Sequence, residues 1–112
     1  MKKLSLLIIT MILVAALSAH PASSVSISYD ARNSQVTVDF EHSVKSASDH
    51  YIQTLTLKIN NKTIISQVYS LQEKSAGGLA IYRIPGLRKG DVIEVITDCN
   101  KGGKKSGKLT LN

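Results

Sequence analysis

Beyond residue 24, apolar and polar side chains alternate with a period of two, in short runs separated by turn-forming residues. That is the signature of strands with one face buried. Val25, Ile27 and Tyr29 form the first apolar face, ended by Asp30-Ala31-Arg32-Asn33, and Val36, Val38 and Phe40 form the second. After a polar stretch, 41–49, the alternation resumes from Tyr51 with Leu55, Leu57 and Ile59 on one side and Thr54, Thr56 and Lys58 on the other. Asn60-Asn61 predicts a two-residue hairpin turn, because asparagine tolerates the positive φ such turns need. Residues 62–70 are then the returning arm. Leu79, Ile81 and Ile84 mark a fifth strand, residues 92–97 a sixth and residues 108–111 a seventh. The expected core comprises Val36, Val38, Leu55, Leu57, Ile59, Ile81, Val92 and Ile96.

No segment after residue 24 carries a 3.6-residue apolar period of helical length. The chain therefore reads as all-β, an immunoglobulin-like antiparallel β-sandwich of about seven strands. An open barrel is the structural alternative.

The first residues follow a different pattern. Lys2 and Lys3 precede an almost unbroken apolar run over 4–17, and small residues follow at Ala16, Ser18, Ala19 and Ala22. This is the layout of a secretory signal peptide. The apolar run of about 14 residues is shorter than the roughly 20 that cross a hydrocarbon core. The expected division is a leader over 1–22 and one domain over 23–112, with cleavage near Ala19 or a few residues later. The product would be periplasmic or secreted and would carry no membrane anchor.

Removing residues 1–19 takes away two of the 14 basic side chains, so the net charge of +6 becomes +4. The remaining excess gathers at Lys101, Lys104, Lys105 and Lys108. It reads as a solvated basic turn or a docking patch for an acidic protein partner. One Phe, four Tyr and no Trp offer few stacking platforms for nucleic acid. The single cysteine, Cys99, rules out an internal disulfide, so the β core alone must stabilise a domain of this size.

Three histidines, His20, His42 and His50, and Cys99 are the candidate soft or borderline metal ligands. His42 and His50 bracket the loop between the second and third strands, and Cys99 ends the sixth. In a sandwich these loops open at the same end. A lone histidine at a strand edge is usually solvated, and a lone cysteine is usually a small buried hydrophobe. It is their combination that points to a metal. Asp49 and Asp98 adjoin His50 and Cys99, as groups that orient ligands or as ordinary loop carboxylates. No Ser-His-Asp set stands out, and Gly102-Gly103 lacks the strand-to-helix context of a phosphate loop.

Glu41-His42-Ser43-Val44, Asp49-His50-Tyr51-Ile52 and Cys99-Asn100, in that order, resemble the superoxide reductase (desulfoferrodoxin) family. The likeness covers roughly residues 36–111. It implies an immunoglobulin-like sandwich with ferrous iron held by four histidines in a plane, a cysteine thiolate behind it and one position open to superoxide. His42, His50 and Cys99 carry over. The family's histidine after Cys-Asn falls on Gly102, Ser43 replaces the usual proline, and the first ligand histidine has no evident counterpart. His20 supplies another ligand if the leader is cut just before it, since an N-terminal histidine chelates through amine and imidazole together. The resemblance thus implies an exported module with a depleted iron site, binding divalent metal more weakly than the family does. Efficient superoxide chemistry is the lesser expectation.

Tyr51-Ile52-Gln53, the hairpin around Asn60-Asn61-Lys62, Gln67 and Lys89-Gly90-Asp91 are also similar to the sulfur-oxidation carrier subunit SoxZ. That alternative implies a scaffold of the same fold that binds no metal and works through a protein partner.

Overall fold

The computed structural model of the protein describes residues 20–112. Most of the leader read from the sequence lies outside the described residues. Seven strands follow in order: β1 (Ser24–Asp30), β2 (Gln35–Glu41), β3 (Ile52–Ile59), β4 (Lys62–Val68), β5 (Gly77–Arg83), β6 (Val92–Cys99) and β7 (Lys104–Thr110). They form two antiparallel sheets, β1-β2-β5 and β4-β3-β6-β7, packed face to face. The described residues contain no helix. Asn60 and Asn61 take positive φ, 50° and 68°, in the turn that pairs Ile59 with Lys62, as the asparagine pair predicts.

Apolar stripes from both sheets meet between them. Val36 and Val38 of β2 face Leu55 and Leu57 of β3 and Ile93 and Val95 of β6, all fully buried. Each such side chain contributes about 1.5–3 kcal/mol over its exposed state, which supports a domain without a disulfide.

Four core assignments are corrected. Ile81 is 56% exposed, because β5 turns Ala80 inward and leaves Leu79 and Ile81 on its outer face. On β6 the buried residues are Ile93, Val95, Thr97 and Cys99, while Val92 and Ile96 are half-buried on the other side. Val92-Ile93 and Val95-Ile96 place apolar groups on both faces, so the pattern within β6 does not set its own direction; the opposing sheet does. Ile59 is also only half-buried, and β7 begins at Lys104, ahead of the expected 108.

This inward face of β6 positions the site. Val36, Val38 and Phe40 continue into His42, one residue past β2, and Ile93, Val95 and Thr97 continue into Cys99. Both stripes run out at the same end of the sandwich. There β3 carries a bulge: Ile52 pairs with Cys99 but Thr54 pairs with Asp98. Two steps on β3 thus match one on β6, which lets Ile52 and Leu55 both face inward.

Candidate metal centre

His42 is 1% exposed. Its backbone N–H donates to Ala76 O at 2.9 Å, tying the chain just past β2 to the segment entering β5. Its ring is oriented by Gln72, itself 3% exposed. Gln72 Nε2 donates to His42 O at 2.8 Å and to Lys74 O at 2.9 Å. Gln72 Oε1 accepts from the Ile52 N–H at 3.3 Å. Two carbonyls on one side and an N–H on the other fix which end of the amide is oxygen. Nδ1 of His42, 2.8 Å from that oxygen, must therefore be the protonated nitrogen. The neutral ring then keeps its lone pair on Nε2. A buried imidazole with one nitrogen tethered to an acceptor and the other left as a lone pair is the usual arrangement of a metal ligand.

Nε2 of His42 points toward His20, whose carbonyl oxygen lies 3.3 Å away. The three imidazoles converge: ring centroids are 4.9 Å apart for His20–His42, 4.5 Å for His20–His50 and 4.9 Å for His42–His50. One nitrogen from each lies within 4.8 Å of the others. Imidazole nitrogens bound to one ion sit about 2.0–2.1 Å from it, so an inward movement of each nitrogen by up to roughly 0.7 Å would place all three around one ion.

Cys99 is 1% exposed, and its Sγ lies 3.1 Å from His50 Nε2. The backbone N–H of Lys101 also points at the sulfur, at 3.4 Å. Metal bonds of about 2.1 Å to nitrogen and 2.3 Å to sulfur, at a right angle, separate their ligands by roughly 3.1 Å. The donor set suits a borderline or soft transition ion.

Asn100 holds His50 in this position. Its Oδ1 accepts from the Tyr51 N–H at 2.9 Å, its Nδ2 donates to Asp49 O at 2.9 Å, and its own N–H donates to Tyr51 O at 3.0 Å. The residues on both sides of His50 are thereby clamped to the turn that follows Cys99. Burial is the main influence holding the His50 imidazole below its ordinary value of 6.5; His20, His42 and Lys101 add to it and Asp49 opposes it. His50 is accordingly neutral near pH 7, the form that binds metal.

His20 is exposed, but the residues after it are anchored. Ser23 N–H donates to Glu41 O at 2.8 Å, and Ala22 is 2% exposed in a cluster with Phe40, Ile52 and Cys99. Pro21 lies on Gly103: a Cβ there would come within 2.9 Å of the Pro21 nitrogen. The glycine after the β6 turn therefore makes room for the segment that delivers His20.

The structure thus gathers His20, His42 and His50, and sets Cys99 against His50. Asp49 forms an ion pair with Lys101 at 3.3 Å across the mouth of the site; among the described residues neither it nor Asp98 bonds to a histidine ring. A depression of about 740 Å³ lies over the cluster, lined by His20, His50, Lys45, Lys101 and Asp49 among others. Gln72 was missed from the sequence, where a lone glutamine in a loop carries no pattern. The clamping role of Asn100 was missed too, although its adjacency to Cys99 marked it.

No family model matches the chain, and no curated protein matches it. Among solved structures, a variant of superoxide reductase (neelaredoxin) from Ignicoccus hospitalis superposes with a TM-score of 0.57. The match has 15% sequence identity and covers 87% of this chain and 85% of that one. The fold is therefore superoxide-reductase-like. The comparisons lend no support to the likeness to the sulfur-carrier subunit.

Proposed function

We propose that this protein is an exported redox module that holds iron through His20, His42, His50 and Cys99 and reduces superoxide. The observation that carries the reading is the convergence of three imidazoles beside a buried thiol, at the end of a superoxide-reductase-like sandwich. Ferrous iron would supply the one electron that, with two protons, converts superoxide to hydrogen peroxide, and an external one-electron donor would return the ferric ion to ferrous.

The chain's own residues provide the setting. Gln72 presents the His42 lone pair, and Asn100 presents His50 to Cys99. Around the depression, the ammonium groups of Lys45 and Lys101 outnumber the carboxylate of Asp49, which favours approach of a small anion. The nearly complete burial of the thiol shields it from bulk oxidants.

The test is anaerobic loading with ferrous iron, followed by superoxide consumption measured against Cys99→Ser and His50→Ala variants. Stoichiometric iron and a single-turnover consumption lost in both variants support the proposal. Failure to bind iron, or consumption that is unchanged in both, overturns it.

A further inference from the structure

We propose that the exported chain begins at His20, and that its free α-amine joins the imidazoles of His20, His42 and His50 as a fourth nitrogen donor. This rests on the metal-binding reading above and extends it to a residue-level claim about maturation.

Three observations carry it. The first is the placement of the His20 main chain. Its carbonyl oxygen is 3.3 Å from His42 Nε2, which brings the α-nitrogen of the same residue into the neighbourhood of the cluster. The second is the character of that contact. Because Gln72 takes the Nδ1 proton of His42, the 3.3 Å approach sets a nitrogen lone pair against a carbonyl oxygen. With the ring neutral, that lone pair is open to a metal ion on the side where the His20 main chain lies. The third is where the fold begins. Ala22 fills the cluster of Phe40, Ile52 and Cys99, and Pro21 is seated on Gly103. A cut after Ala22 would strip both contacts from the domain. A cut after Ala19 retains them, leaves His20 at the free end and has a small residue immediately before the cut, with Leu17 at the third position back.

The maturation step is hydrolysis of the Ala19–His20 peptide bond by a signal peptidase: water adds across the amide, leaving a carboxylate on Ala19 and an amine on His20. The new amine and Nδ1 of the same residue can close a six-membered chelate ring on a metal. In the structure Nδ1 of His20 faces Pro21 O at 3.3 Å, and this exposed ring can turn about its Cβ–Cγ bond to meet the amine. Amine and imidazole nitrogens together favour late first-row divalent ions over magnesium or calcium.

The experiment has two parts. The full-length chain is exported from a bacterial host and the intact mass of the product is measured; a chain starting at His20 is expected, and a start elsewhere overturns the proposal while leaving the metal-binding reading in place. Cobalt(II) affinity is then measured by chelator competition for protein beginning at His20 and for the same protein carrying Ala19 in front of it. The extended form should bind on the order of 10–100-fold more weakly, at least the effect of losing a group that merely orients a ligand. Bound cobalt should also protect the α-amine of the shorter form from acylation. Equal affinities without protection overturn the role of the amine, provided binding still depends on His42 and Cys99. If neither form binds cobalt, the metal-binding reading falls and this proposal falls with it.

Discussion

Nε2 of His50 and Sγ of Cys99 lie 3.1 Å apart although 49 positions separate them in the chain. The contact joins the approach to β3 to the last residue of β6. It is maintained by Asn100, whose side chain bonds to the main chain on either side of His50.

Replacing Asn100 with Ala should therefore loosen His50 without removing a ligand. The Tyr51 N–H loses its partner in a half-buried position, at a cost of about 1–3 kcal/mol. Cobalt affinity should fall by about 10–100-fold. Chemical denaturation and metal competition together check this; full affinity with reduced stability would limit Asn100 to a structural role.

Gln72→Leu should act through His42 in the same way, leaving Nδ1 and the Ile52 N–H facing an apolar side chain. The expected result is weaker metal binding and a loss of about 1–3 kcal/mol per orphaned buried group. Gln72→Glu preserves an acceptor for Nδ1, so it should recover much of the metal affinity even where stability stays low. Titrating both variants with cobalt separates ring orientation from packing.

Cys99→Ser retains the shape of the side chain but exchanges a polarizable sulfur for a hydroxyl. The cobalt-loaded protein should lose its thiolate-to-metal absorption in the near ultraviolet, whereas His20→Ala should keep it. Ultraviolet–visible spectra of the two variants decide the point. The structure already makes a thiol-specific signal informative, since no other cysteine exists in the sequence.

The lowered titration of His50 fixes the sign of a pH effect on the metal-free protein. Below its ordinary value of 6.5, the unfolded chain takes up a proton there while the folded state resists one. The stabilising contribution is thus fully present above 6.5 and is lost as pH falls through the lower folded value. Denaturant midpoints measured from about pH 7.5 to about 5.5 should decline, and His50→Gln should remove part of the slope. An unchanged slope in that variant would assign the effect to other groups.

Gly103 offers a test of the segment that carries His20. Its φ of 107° is unfavourable for other residues, and any Cβ meets Pro21. Gly103→Ala should displace Pro21 and weaken cobalt binding more than Gly86→Ala does. Gly86 also has a positive φ, 82°, but no atom lies near its would-be Cβ, so it controls for backbone strain alone. Similar affinities in the two variants would show that the His20 segment does not need this seat.

Much of the architecture was legible because alternation and turn residues are local signals. Val36, Val38, Leu55 and Leu57 follow directly from period two, and Asn60-Asn61 from the conformations asparagine tolerates. The faces of β5 and β6 were not legible, since Leu79-Ala80-Ile81 and Val95-Ile96 present apolar groups on both sides and only the opposing sheet chooses between them. At the site, residue type identified His42, His50 and Cys99, and His20 depended on where the chain is cut. Gln72 was hidden for a physical reason: three of its four side-chain hydrogen bonds go to His42 and Ile52, distant in sequence, and leave no trace in spacing.

The bulge in β3 has a hereditary side. Along an unbroken strand, Ile52 would share a side with Thr54 and Thr56, facing away from the core. One extra residue between Ile52 and Thr54, relative to β6, turns Ile52 inward instead, into the cluster with Cys99. Loss of the single codon for Gln53 would restore even pairing and swing Ile52 out of the Cys99 cluster with every ligand still encoded. A comparison of ligand residues alone would not notice the difference.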